Sequence, residues 1–179
     1  DSFDGILGQG SYALDLDTNE GDLDDPDEVS ELFIEERSTD SLTLWTTSSG
    51  ALSDLEEVSD VTAAVEDGEL TEDTTIAEED VVVHEFQASG LEGAIDAQGD
   101  AGIGGLLGNG LNVTIEQTDD STGTNQEPKV VDVTDTLDQS GAAVIPDAQN
   151  GTYYIAMDTD ALQFEDGDEY ASGDEYDVE

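Results

Sequence analysis

Asp80-Val-Val-Val-His-Glu-Phe-Gln-Ala88 is the stretch on which the fold turns. Its density of valine beside an aromatic marks a strand, because branched and ring side chains pack well on a pleated surface. His84 sits between Val83 and Glu85, and that alternation places it on the polar face of the strand. Toward the C-terminus, Leu111-Asn-Val-Thr-Ile-Glu-Gln117 alternates cleanly. Shorter β-type runs follow at Lys129–Val133, Ala142–Ile145, Thr152–Asp158 and Glu175–Val178. Toward the N-terminus, Ser11–Leu16, Glu31–Glu36 and Leu42–Thr46 read the same way. The polar segment 37–41 suggests a hairpin joining the last two, with Trp45 in the core beside Phe33.

Helical signals are fewer. Ser53 and Glu56 have the spacing of a capping box, and Leu55, Val58, Val61 and Val65 recur on one face, so a helix is expected near 54–66. Gly68 can end it in the left-handed conformation. A helical turn over Leu91–Ala97 leads into a glycine-rich loop at 99–110. Several short strands with turns between them point to a mainly β fold, an Ig-like or jelly-roll-type β-sandwich with one or two short helices. The expected division is an acidic N-terminal segment with a short strand, 1–29, and a β-sandwich-like surface domain, 30–179. Two halves meeting near 70–80 is the alternative.

Charge narrows the setting. Across 179 residues the only basic ones are Arg37 and Lys129, against 48 acids, giving a net charge of −46. At physiological salt the screening length is about 8 Å and such a chain repels itself; in molar salt it falls to about 3 Å. Near absence of lysine means that the whole surface is acidic, which marks a protein of near-saturated brine. Disorder would be the usual reading of such charge, but alternating strands and a capped helix oppose it. There is no cysteine, hence no disulfide or thiolate zinc site. Nucleic acid is excluded as a partner, because no basic patch exists to displace counterions from phosphate. No run is long and apolar enough for direct membrane insertion, and the chain reads as a processed piece of something longer.

Candidate chemistry is sparse. Asp15-x-Asp17-x-Asn19 begins like an EF-hand loop, but Glu20 stands where glycine is needed and Pro26 where the bidentate glutamate belongs. Asp158 and Asp160, with the cluster Glu165, Asp166, Asp168 and Glu169, are candidate weak cation sites. The expected occupants are hydrated Na⁺ or K⁺, with Ca²⁺ as a further candidate, and no cofactor is required. A lone histidine without a nucleophile turn makes no triad, and the glycine-rich stretch lacks the lysine of a phosphate loop. Between Phe86 and Ile115 only Glu92, Asp96 and Asp100 are acidic; Ile103, Leu106 and Leu107 are therefore a candidate contact patch. Two glycosylation triplets occur, Asn112-Val-Thr114 and Asn150-Gly-Thr152. Asn150 lies on a turn and is the better acceptor, whereas Asn112 falls in an expected strand.

Four runs carry a resemblance: Leu32–Trp45, Val81–Ala94, Gln117–Lys129 and Asn150–Asp158. Together they resemble haloarchaeal cell-surface, S-layer-like glycoproteins. That resemblance implies an extracellular β-rich domain without enzymatic activity, and it supplies no catalytic residues. The function so expected is a non-enzymatic structural or assembly domain at the cell surface. Its partners would be other copies of itself or other cell-surface proteins. The alternatives are a capsid, spike or filament subunit and, lower in order, a secreted hydrolase.

Overall fold

The computed structural model describes residues 9–16, 28–34, 36–107, 110–118, 122–124 and 126–179. Of residues 15, 16, 100 and 101 only the backbone is described. The EF-hand-like stretch therefore lies largely outside the described residues. The chain divides into two compact units, Asp1–Ser38 and Thr39–Glu179.

The first unit is an antiparallel hairpin of β1 (Gly10–Leu16) and β2 (Glu28–Ile34). Its register sets Tyr12 opposite Leu32 and Ser11 opposite Phe33. The hairpin expected between β2 and the next strand is thus replaced by one with β1. The reason is pattern matching across the pair: Tyr12 and Leu14 share a pleat face with Leu32 and Ile34. Phe33 points to the opposite face and is 63% exposed, so it is a surface residue rather than the core residue expected.

The second unit is built on a five-stranded sheet. Its strands are β3 (Ser38–Thr47), β4 (Thr71–Glu72), β5 (Val81–Ser89), β7 (Ala142–Asp147) and β8 (Thr152–Asp158), in the order β4-β3-β5-β8-β7. Strand β8 runs antiparallel to both β5 and β7. Strands β6 (Ile115–Gln117) and β9 (Tyr176–Val178) form a separate antiparallel ribbon. Among the described residues the domain also has three short helices, α1 (Val58–Asp67), α2 (Glu92–Gln98) and α3 (Val133–Leu137), with 3₁₀ segments at Ala51–Asp54, Gly99–Leu106 and Thr159–Ala161.

Both faces of this sheet are covered. Val82, Phe86 and Ala88 of β5 join Tyr153, Ile155 and Met157 of β8 beneath Leu91, Ile103, Ile115, Val131 and Val133. Val81, Val83, Ala156 and Ile145 face the other way, against Leu55, Val61 and Leu70. A strand buried on both sides reads as a continuous apolar run rather than an alternation, which is what Val81–Val83 is. The result is a mixed α/β domain in place of the expected sandwich of two large sheets, each with a wet outer face. Each large side chain fully buried here contributes about 1.5–3 kcal/mol relative to exposure.

The helix ends also differ from expectation. Asp60 Oδ2 accepts the amides of Glu57 at 2.8 Å and Glu56 at 3.2 Å, so the capping carboxylate is Asp60 and the N-cap is Glu57. Ser53 instead donates to the Gly50 carbonyl, within the 3₁₀ segment. Gly68 caps the C-terminus at φ 74°, as expected. Val61 is buried and Val58 half-buried, but Val65 stays exposed, so the apolar stripe is one turn shorter than its spacing suggests. Helix α3 replaces the end of the strand expected at 129–133: the Asp132 side chain accepts the Asp135 amide at 2.9 Å and starts a helical turn.

Candidate functional site

Strand β5 positions the one histidine. His84 is 3% exposed, on the same face as Val82 and Phe86, so the polar face expected for it does not exist. Burial lowers its pKa from 6.5 to about 4, and a long 3.4 Å contact from Nδ1 to the Ile155 carbonyl only partly opposes this. At neutral pH the ring is an uncharged core residue.

A cluster of acids instead lies on the segment that follows β8. A groove of about 600 Å³ is lined by Glu78, Asp160, Asp168 and Glu169 together with Phe164 and Tyr170. All four carboxylates are exposed, and the Tyr170 hydroxyl donates to Asp160 Oδ1 at 3.2 Å. An acid catalyst of glycoside cleavage needs a carboxyl held protonated by an apolar setting, which this wet groove does not provide. Asp158 lies beside it and its Oδ1 accepts the Asp160 amide at 3.0 Å, capping the 3₁₀ segment. Glu165 and Asp166 are exposed on the same loop. Among the described residues no three acids or histidines converge as a metal-holding group.

One ion pair shapes that loop. Lys129 Nζ lies 2.7 Å from Asp174 Oδ2 and 2.8 Å from the Glu169 carbonyl. Asp174 also accepts from Gln117 Nε2 at 3.0 Å, the Ala171 amide at 2.9 Å and the Tyr176 hydroxyl at 3.2 Å. Burial opposes ionisation of Asp174, but the Lys129 and Ala171 hydrogen bonds outweigh it and hold the carboxyl below its ordinary range. Burial and the Asp174 charge push the Tyr176 phenol well above its ordinary range. Gln117, on β6, and Tyr176, on β9, thereby tie the ribbon to the acidic loop.

The contact patch expected at Ile103, Leu106 and Leu107 is largely interior. Ile103 and Leu106 are 3% and 2% exposed, and Ile103 packs in the core beneath the sheet. An apolar residue in an acid-poor stretch is a surface contact only if its side chain faces out, and the 3₁₀ segment turns these two in. Half-buried Leu107 lines a shallow groove of about 470 Å³ with Gly104, Leu137, Ala142, Val144 and Pro146. Asp138 is the one acid in that lining. Strand β7 forms this rim of the sheet, and no acid occurs from Gln139 to Pro146. Sequence reasoning read Ala142–Ile145 as a strand but did not see that it stands at an edge.

Both glycosylation triplets are described. Asn112 is exposed outside any strand, and Asn150 is exposed in the turn between β7 and β8.

No family model matches the chain, and no solved structure matches it. It is 38% identical over 164 residues to a cell surface glycoprotein of Haloferax gibbonsii, an alignment covering 92% of this chain and 17% of the relative. It is 30% identical over 183 aligned residues to cell surface glycoproteins 1 and 2 of Haloarcula hispanica, covering 90% of this chain and 19% of each relative. The chain thus spans less than a fifth of the length of these relatives. Among the described residues, neither the buried histidine nor the open acidic groove forms a catalytic constellation. Over nine-tenths of its length, this chain is related to the haloarchaeal cell surface glycoproteins.

Proposed function

We propose that this chain is a salt-dependent structural module of a haloarchaeal cell surface, acting through contacts with further copies of itself. The carrying observation is its 38% identity, over 92% of its length, to a cell surface glycoprotein. Carboxylates keep the exterior hydrated in brine, where salt otherwise drives apolar surfaces together. Contacts then fall where carboxylates are absent. The β7 rim is such a place, with Ala142, Ala143 and Val144 half-buried beside the groove at Leu107. A second copy is its occupant in this reading, because two β7 rims can meet without bringing acidic runs together. The residues Asp158, Asp160, Asp168 and Glu169 hold a loose atmosphere of hydrated Na⁺ or K⁺, and weakly held Ca²⁺ where it is present.

The test combines location and association. Cell fractionation of a haloarchaeal host should place the chain with the envelope. Sedimentation in 3 M-class NaCl should show association that Ala143→Glu and Val144→Asp weaken, with circular dichroism unchanged. Recovery in the cytoplasm would overturn the surface reading, and unaltered association in both variants would overturn the β7 contact.

A further inference from the structure

The fold treats its two glycosylation triplets very differently. Asn150 is locked into the β7–β8 turn: its Nδ2 donates to Asp147 Oδ2 at 2.7 Å, and its backbone amide reaches the Asp147 carbonyl at 3.1 Å. Gly151 stands at φ 64° with its carbonyl accepting the Ala88 amide at 2.9 Å. A Cβ there would lie 2.8 Å from the Ala88 carbonyl oxygen. Thr152, the third residue, is 7% exposed and paired between Gln87 and Asp147 inside the sheet. Straightening this turn would break the pairing of Thr152 with Gln87 and Asp147.

Asn112 is placed otherwise. It is exposed, outside any strand, and its Nδ2 donates to Thr114 Oγ1 at 3.1 Å. The amide to be modified and the hydroxyl that defines the triplet are thus already neighbours on an accessible segment. Thr114 pairs through its backbone with Glu179, at 2.9 Å in each direction. No acidic residue occurs from Ala101 to Ile115. At 15 residues it is a long stretch of this carboxylate-hydrated chain without charge to hold water.

We propose that Asn112 carries an N-linked oligosaccharide on the folded domain and that Asn150 stays unmodified; this rests on the cell-surface reading above. The donor is an oligosaccharide activated on a lipid phosphate. Asn112 Nδ2 bonds to the anomeric carbon and loses one proton, while the anomeric carbon–oxygen bond breaks and the lipid phosphate leaves with that electron pair. The sugar supplies a bulky, hydrated, uncharged cover where acids are absent.

The chain's two basic residues make the experiment simple. Trypsin, applied after the salt is removed, cleaves behind Arg37 and Lys129 and so separates fragment 38–129, with Asn112, from fragment 130–179, with Asn150. Mass spectrometry of chain recovered from a haloarchaeal envelope should find a saccharide increment on 38–129 alone. The increment should be lost in Asn112→Gln and in Thr114→Val and retained in Asn150→Gln. An increment on 130–179, or a bare 38–129 fragment from envelope-located chain, would overturn this inference and leave the surface reading standing. Chain found only in the cytoplasm would overturn both.

Discussion

Lys129 and Asp174 meet at 2.7 Å with side chains only 21% and 13% exposed, so the single lysine of a highly acidic chain is committed to one half-sheltered carboxylate. A pair this far from solvent is screened by salt much less than a surface pair. Removing the cation strands the Asp174 carboxylate among its remaining donors. Lys129→Met should therefore lower stability by about 2 kcal/mol even in molar NaCl. Urea unfolding at fixed high salt measures it, and an unchanged midpoint would show the pair to be incidental.

The same carboxyl has a pH signature. Its folded pKa lies below the ordinary value, so the stability it contributes is present above about pH 4 and is lost as pH falls through the folded value. Asp174→Asn should remove that acid-side loss, seen as a flatter stability curve below pH 4 than the parent shows.

His84 acts in a different window. With its pKa lowered from 6.5 to about 4, the buried ring takes a proton less readily than in the unfolded chain. Its effect is nil above about pH 6.5, grows as pH falls, and saturates near pH 4 at a loss of about 3 kcal/mol. His84→Leu keeps the apolar contacts and should abolish this slope. Comparing the variant with the parent across pH 4–7 cancels the carboxylates common to both.

Helix α1 ends on Glu66 and Asp67 with no basic residue in its last turn. Negative charge there opposes the helix dipole, and the neighbours are acidic as well. Glu66→Lys should raise stability by about 0.5 kcal/mol at low salt and by less in molar salt. More broadly, circular dichroism should show the parent folded in molar NaCl and unfolding as salt is withdrawn. Retention of structure in dilute buffer without bound ions would contradict the charge argument.

Asp60 accepts two backbone amides at the start of α1. Asp60→Ala leaves them unmet and should cost about 1 kcal/mol, whereas Ser53→Ala, at the position the sequence favoured, should cost little. Paired thermal melts of the two variants decide between the boxes.

Much of the sheet could be read from residue order. Thr152–Asp158 is strand β8 residue for residue, and β5 and α2 fall within one or two residues of expectation. What failed were questions of facing. Val81-Val-Val83 is equally consistent with one apolar face or two, and only α1 packed behind Val81 and Val83 settles it. The same ambiguity hid His84 and turned Ile103 and Leu106 from a supposed exterior patch into core. Helix α3 was missed because Val130, Val131 and Val133 carry strand propensity, while Asp132 and Asp135 supply a local cap that overrides it. Among the glycosylation triplets, the turn at Asn150 was correctly seen. What the letters could not convey is that Thr152 is already inside the sheet.

Trp45, half-buried on β3, donates from Nε1 to Glu85 Oε2 on β5 at 2.7 Å. The chain has no other tryptophan. Its fluorescence is therefore an optical tag on one seam of the larger unit. Emission and far-ultraviolet signals recorded during desalting will diverge wherever the two units unfold at different ionic strengths.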